Sequence, residues 1–486
     1  MSIDQLAESR LVGFTPEYKD YSSGAVRFLP MRIAIVGQGN SASSYALTKK
    51  QISSAAQAAA LYGYGSPIHL ASLMLFPRDG DGVGSIPVTV YPLEDDSSAV
   101  AAGGNITAAG TQVGTAVYRV KFSNIYVDVV IPDGTTAQDA MVLIRTAILS
   151  NLNMPVIPAA PNAGIMTFSA KWAGASGNDI YCEIEGTISG ITYTITQATG
   201  GLVNPDITSA LELIGPVWEV LIVNCLNYTD QDALDVFQSY GETRWQALEN
   251  KPFISFCGTA DNRVTRTVVT NARKDDYINS LQSTPGCRNL PCQIAARTVA
   301  RIAVTAQSNP PQNYKELLTG LTAGDDSLQE DWVERDLAIK SGSSTTILTN
   351  GNIEMNDTMT MYNMEGEEPA YKNYVVDLIK DMNVIYNCGL IFRSPEWKGA
   401  PLIPDGQPSI NPTSKKPSDA KTALINLAVN LGLESIISDV EFSKKNITAA
   451  IDGTNPKRLN WGFPVKRSGN TEIIDGTIYF GFYFGN

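Results

Sequence analysis

The residues with the clearest chemical potential are Gly37-Gln-Gly39-Asn-Ser-Ala42, which directly follow the apolar run at 31–36. A strand that ends in closely spaced glycines can open a dinucleotide fingerprint, in which the bare backbone approaches a pyrophosphate and a helix N-terminus faces it. Here the third glycine is missing, and no acidic residue stands near twenty positions on to hold a ribose. Asn40, Ser41 and Ser43 could hydrogen-bond a phosphate, and they equally suit a strand-ending turn. There is no P-loop. The one histidine, His69, lies between Ile68 and Leu70, a setting for a packed or interface imidazole and a poor one for a Ser-His-Asp or Cys-His centre. The acidic runs Asp325-Asp326, Glu330-Asp331 and 365–368 lack the alternation of a calcium loop and read as solvated or partner-facing. Cys182, Cys225, Cys257, Cys287, Cys292 and Cys388 form no C-x-x-C pair and read as buried free thiols. The search yields no catalytic residue, no cofactor and no metal site.

The elements that carry these residues follow from pattern. A chain of 486 residues has room for roughly three domains. Hydrophobic residues at 43% and charged residues at 17% describe a globular protein. No apolar run reaches the roughly 20 residues of a bilayer span, and the start Met1-Ser-Ile-Asp-Gln-Leu lacks the regions of a secretory signal, so synthesis and use in the cytosol are expected. Residues 1–29 contain Gly13, Pro16 and Gly24 with no helical stripe, and read as an N-terminal arm. Ser54 and Gln57 have capping-box spacing, predicting a helix closed by Gly63, and a second helix over 67–76 carries His69.

Between 93 and 203 the texture changes. Short β-rich runs at 116–122, 125–131 and 190–196, separated by Gly, Asn and Pro turns and interrupted by a helix near 137–149, predict a β-rich inserted domain. Strand, helix and strand at 217–223, 230–248 and 252–257 then form a βαβ unit. The α/β core begun at 30–92 therefore resumes over 204–355, split by the insertion. A C-terminal domain over 356–470 has one helical face at Val375, Ile379, Met382 and Tyr386. A second face at Ala420, Ala423, Leu424, Leu427, Ala428 and Leu431 is expected to be capped by Ser418 and Gly432, after a proline-rich connector at 401–417. The expected class is α/β (α+β), multidomain.

Charge and the chain end point toward assembly. The net charge of -13 argues against direct nucleic-acid binding by the whole surface. Over 321–380 twelve acids oppose four bases, whereas over 442–470 Lys444, Lys445, Lys457, Arg458, Lys466 and Arg467 oppose only Asp452. Such a reversal suits two ordinary solvated surfaces, or a basic face that meets an acidic partner or sister subunit. In the final segment, 471–486, Ile478, Phe480, Phe482 and Phe484 alternate with Tyr479 and Tyr483. This pattern predicts a sticky strand that is either tucked into its own sheet or lent to a neighbouring chain.

Arg32-Ile-Ala-Ile-Val-Gly-Gln38, Ile52-Ser-Ser-Ala-Ala-Gln-Ala-Ala-Ala-Leu-Tyr-Gly-Tyr-Gly-Ser66 and Lys171-Trp-Ala-Gly-Ala-Ser-Gly-Asn-Asp179-Ile180 together resemble the tail sheath proteins of contractile-tailed, Mu-like bacteriophages. Gly201-Leu-Val-Asn-Pro-Asp206 and Asn455-Pro-Lys-Arg-Leu459 are similar to later stretches of that family. The resemblance implies a virion protein assembled in the host cytoplasm as a homo-oligomer of stacked six-fold rings around a tail tube. It also implies baseplate and tail terminator proteins as partners, strand donation by the terminal arms, and contraction by rigid-body rearrangement without a nucleotide. A headless tailocin or injection system would use the same subunit. The reading from a different class is a cytosolic nucleotide-binding enzyme built on the turn at 37–43.

Overall fold

The structure, a computed structural model, describes residues 26–187, 189–364, 372–472, 476–478 and 480. They form two compact units, residues 29–385 and a second made of residues 26–28 with residues from 386 onward.

In the first unit β1 (Ile33–Gln38) is buried at every position, as a strand inside a covered parallel sheet must be. β2 (Lys50–Ile52), α1 (Ala55–Tyr62) and α2 (Pro67–Leu75) follow. The Ser54 side chain accepts from Gln57 N and Gly63 ends α1, as the spacing predicts. α2 starts with Pro67 in its first turn, where a missing N–H costs nothing. β3 (Val88–Leu93) then returns parallel beside β1.

The chain next builds β4 (Gly103–Gly110), β5 (Ala116–Phe122), β6 (Ile125–Ile131), α3 (Ala137–Ser150), β7 (Val156–Pro158), β8 (Ile165–Ala170), β9 (Cys182–Gly186) and β10 (Ile191–Thr199). These strands form two small sheets of order β10-β4-β8-β7 and β6-β5-β9. Period-two alternation buries Tyr118, Val120 and Phe122 on one face of β5.

After α4 (Thr208–Glu212), β11 (Leu221–Asn224) pairs in parallel with the other edge of β1, so the chain closes on the strand it had left. α5 (Gln231–Trp245), β12 (Ile254–Thr259), α6 (Arg263–Ala272), β13 (Asn279–Ser283) and α7 (Pro291–Ser308) complete a six-stranded sheet, β13-β12-β11-β1-β3-β2. On one face Ala34, Val36 and Ile222 pack with Ala210, Leu211 and Phe237 of α4 and α5. α2 and α7 contact each other and the sheet. The expected fold class, mixed α/β, is what the structure has.

α8 (Trp332–Lys340) and the hairpin of β14 (Thr345–Thr349) and β15 (Asn352–Asp357) follow, then α9 (Val375–Phe392). The change of unit falls within α9 and not at the expected residue 356. Residues 357–361 are bonded into the core: Met361 N donates to Asn279 O (2.8 Å) and Ser280 Oγ donates to Met359 O (2.6 Å).

The second unit contains α10 (Pro417–Leu433), α11 (Val440–Asn446) and an antiparallel pair, β16 (Thr448–Ile451) and β17 (Leu459–Gly462). The α10 caps differ from expectation. Helix entry is at Lys416, whose N–H donates to the Asp419 carboxylate (2.8 Å), because Pro417 already fits the first turn, so Ser418 lies inside the helix. Gly432 also lies inside; a Cβ there would meet Val440 Cγ2 at 2.3 Å, so glycine is required for α11 to approach. The Asn387 side chain accepts from Arg27 N (3.1 Å) and donates to Arg27 O (3.0 Å), imitating a strand partner where the arm at 1–29 enters the described chain. Residues 1–25 lie outside the described residues.

Candidate functional site and assembly surfaces

The glycine turn sits at the C-terminal end of β1, in mid-sheet, where open α/β sheets place ligands. Its backbone donors from Gly39 to Ser43 are already used. Gly39 N donates to Tyr45 Oη (3.1 Å), Asn40 N to Tyr62 O (2.8 Å), Ser41 N to Lys171 O (2.8 Å), Ala42 N to Asn40 Oδ1 (2.9 Å) and Ser43 N to Asn40 O (2.8 Å). The Tyr45 ring lies so close over Gly39 that a Cβ would meet Cε1 at 2.3 Å, and the Tyr45 hydroxyl donates onward to Leu93 O (2.8 Å). Asp95 occupies the same mouth, accepting from Gln38 Nε2 (2.6 Å), Ser41 Oγ and Ala173 N (3.3 Å). A phosphate would find a carboxylate and no open cradle. The nucleotide reading is therefore corrected: Gly37 to Ser43 is a structural turn that ties β1 to residues 171–173.

His69 is a packed histidine. Its Nδ1 accepts from Gly65 N (3.0 Å), and Tyr64 meets the ring edge-on at 5.3 Å between centroids. Burial, reinforced by the Lys171 ammonium, pulls the imidazole down to about 4. The unfolded chain takes up this proton near pH 6.5, roughly the free histidine value. The contribution of His69 to native stability is therefore expected to be constant above about pH 6.5 and to be lost between there and about pH 4, by a total on the order of 3 kcal/mol, while Asp179, whose carboxyl is pushed up to about 7 by burial, acts in the opposite direction over much of that range. Urea unfolding of wild type and His69→Asn across that range checks it, since the variant keeps an acceptor and cannot protonate; equal slopes would refute the assignment.

All six cysteines are free and buried, as expected. Burial drives the Cys182, Cys257 and Cys388 thiols up to about 12, which leaves them unreactive. Among the described residues, no group of three or more His, Cys, Asp or Glu side chains could hold a metal, and no helix is long and apolar enough to cross a membrane.

In the second unit Lys444 and Lys445 lie on α11, Lys457 and Arg458 in the connection between β16 and β17, and Lys466 and Arg467 in the segment after β17. Part of their charge is met locally. Lys444 pairs with Glu441 (2.7 Å), Arg458 with Asp452 (4.0 Å) and Lys466 with Asp439 (2.7 Å), while the Lys466 ammonium lies 4.3 Å from the Phe442 ring centre. Asp439 and Glu441 stand just before residue 442, so the local basic excess is smaller than the balance over 442–470. Among the described residues, Lys445 and Lys457 are exposed with no carboxylate in ion-pair range. Arg467 pairs as an isolated bridge with Ile437.

β16 and β17 form a sheet of two strands, so each has an open edge among the described residues. Beside it lies a groove of about 520 Å³ lined by Phe392, Trp397, Pro401, Leu402, Leu459 and Trp461, with Phe392 stacked on Trp461 at 4.8 Å. Sequence periodicity could not find this groove, because its lining comes from two segments far apart in sequence, 392–402 and 456–461. Of the tail residues, Ile478 and Phe480 are 75% and 92% exposed and belong to no strand. Tyr479, Phe482, Tyr483 and Phe484 lie outside the described residues.

The fold and these surfaces define a two-unit α/β protein whose exposed features include an open-edged hairpin, the cations Lys445 and Lys457, and the apolar side chains of Ile478 and Phe480. The chain is similar to the tail sheath protein of the Mu-like prophage FluMu of Haemophilus influenzae, with 24% identity over 422 residues that cover 84% of each. That similarity bears out the resemblance to Mu-like tail sheath proteins. No family model matches the chain. Among solved structures it is similar to sheath tail proteins of Desulfitobacterium hafniense (TM-score 0.46, 13% identity, 94% of this chain and 100% of that one) and Listeria innocua (0.49, 11%, 93% and 94%). It is also similar to the helical sheath of the anti-feeding prophage in its contracted state (0.42, 10%, 96% and 98%). At these TM-scores none of the three fixes a structural detail of this chain.

Proposed function

We propose that the chain is the structural, non-enzymatic subunit of a contractile phage tail sheath, polymerising as stacked six-fold rings around a tail tube and contracting to drive it through a host envelope. The observation that carries this reading is the similarity to a tail sheath protein along 84% of the chain. Three features support it. The turn at 37–43 has its backbone donors from Gly39 to Ser43 engaged and a carboxylate, Asp95, in its mouth, the β16–β17 pair has edges that a strand can join, and residues 478 and 480 expose apolar side chains that a neighbour would cover. In this reading Ile478, Tyr479, Phe480, Phe482, Tyr483 and Phe484 are lent to another subunit. The basic face, with Lys444, Lys445, Lys457, Arg458, Lys466 and Arg467, meets an acidic tube or sister surface. Baseplate and tail terminator proteins bound the polymer at its ends.

Negative-stain microscopy of the purified chain, alone and with its tail tube, tests the proposal. Rings or tubes about one subunit thick are the expected result. A discrete particle that never decorates tubes would overturn it.

A further inference from the structure

The two units differ in charge as well as position in sequence. Residues 29–385 hold 22 basic and 36 acidic side chains, a balance of -14, while the second unit, residues 1–28 with 386–486, holds 14 basic and 13 acidic, a balance of +1, with its excess of cations gathered over 442–470. On the acidic unit one exposed surface stands out, formed by α6 and α8, which contact each other. α6 buries Arg266, Thr267 and Thr270 and turns Val264 and Val268, 64% and 69% exposed, to the outside. α8 buries only Ala338 and exposes Trp332 at 73%, together with Val333 and Leu337. A largely solvated tryptophan on one of two paired helices, with two solvated valines on the other, is unusual for a surface that stays in water. Asp325, Asp326 and Asp331, all exposed, precede Trp332 and give the strip an acidic rim.

We infer that this α6/α8 face docks the cation-bearing 442–470 segment of another copy of the chain, with Trp332 and Val268 covered and the acidic rim facing Lys445 and Lys457. The inference rests on the sheath reading for the existence of a polymer and goes beyond it in naming a contact. A second copy is the occupant because the same chain carries the complementary groups: Lys445 and Lys457 are exposed with no carboxylate in ion-pair range among the described residues, and Lys457 lines the same groove as Trp461, which is itself partly exposed on β17. Solvent-facing pairs of this kind each contribute little, so the covered apolar strip supplies most of the attraction and the charges set register and partner.

The test uses two full-length chains with tags of different size, one carrying Asp326→Cys and the other Lys457→Cys. All native thiols are buried, so a bismaleimide of about one nanometre reach reports only the introduced pair. The mixture is expected to give a covalent mixed dimer, reduced at least tenfold when Trp332→Ala and Val268→Asp are added to the first chain. Microscopy of the same samples separates the two claims. Polymers without the mixed product would overturn this contact and leave the sheath reading standing; mixed product without rings or tubes would support the contact and count against the sheath. A charge exchange closes the argument: Asp325→Lys with Asp326→Lys, and Lys445→Glu with Lys457→Glu, should each lower the product, and their mixture should restore it. No recovery would refute the charge pairing.

Discussion

A chain ending at Asn470 is expected to fold, remain soluble and fail to form stacked rings. The removed segment, 471–486, includes Ile478 and Phe480, whose side chains are almost wholly in contact with solvent within a single chain. Apolar groups already exposed cannot be holding a core together, so their loss should change thermal stability by little, within roughly 0.5 kcal/mol as for ordinary surface substitutions. Their backbone groups and aromatic faces would become satisfied only in a polymer, by pairing with an open strand edge such as those of β16 and β17. Calorimetry and electron microscopy of the same preparation separate the alternatives. A truncated chain that melts early or aggregates would mean the tail closes its own sheet, and one that builds normal sheath would mean the tail is not a donated strand at all.

Much of the architecture could be read from local pattern. Ser54, Gln57 and Gly63 bracket α1, and the apolar runs of β1, β11 and β12 are located within a few residues, because caps and strand periodicity are short-range signals. What stayed hidden depends on distant partners. Glu330 reads as a solvated acid beside Asp331, yet it is buried against Arg266, far away in sequence. The turn at 37–43 looks open until Asp95 and Lys171 are brought to it from two distant segments, joining Tyr45 just past the turn. The basic window looked nearly unopposed because Asp439 and Glu441 lie just outside it. The acids at 365–368 lie outside the described residues.

The largest single-residue effect on folding is expected at Glu330. Arg266 is fully buried and every arm of its guanidinium is engaged: Nε donates to Ser343 Oγ (2.8 Å), Nη2 to Glu330 Oε2 (2.7 Å), and Nη1 to Glu330 Oε1 and to Asp261 O (3.3 Å). A bidentate pair removed from water balances its own desolvation only while both partners remain. Glu330→Ala leaves the cation buried and uncompensated, so the unit at 29–385 should lose about 3–5 kcal/mol. Replacing both partners, Arg266→Met with Glu330→Leu, should cost much less, since no charge is then stranded. Glu330 also leads into Asp331, whose side chain caps α8 by accepting from Glu334 N (2.8 Å). The single substitution should therefore loosen the α6/α8 face before the sheet opens, visible as early hydrogen exchange in α8. Denaturant unfolding of both variants decides the matter: a single substitution no more harmful than the double would mean the pair is not the anchor of this face.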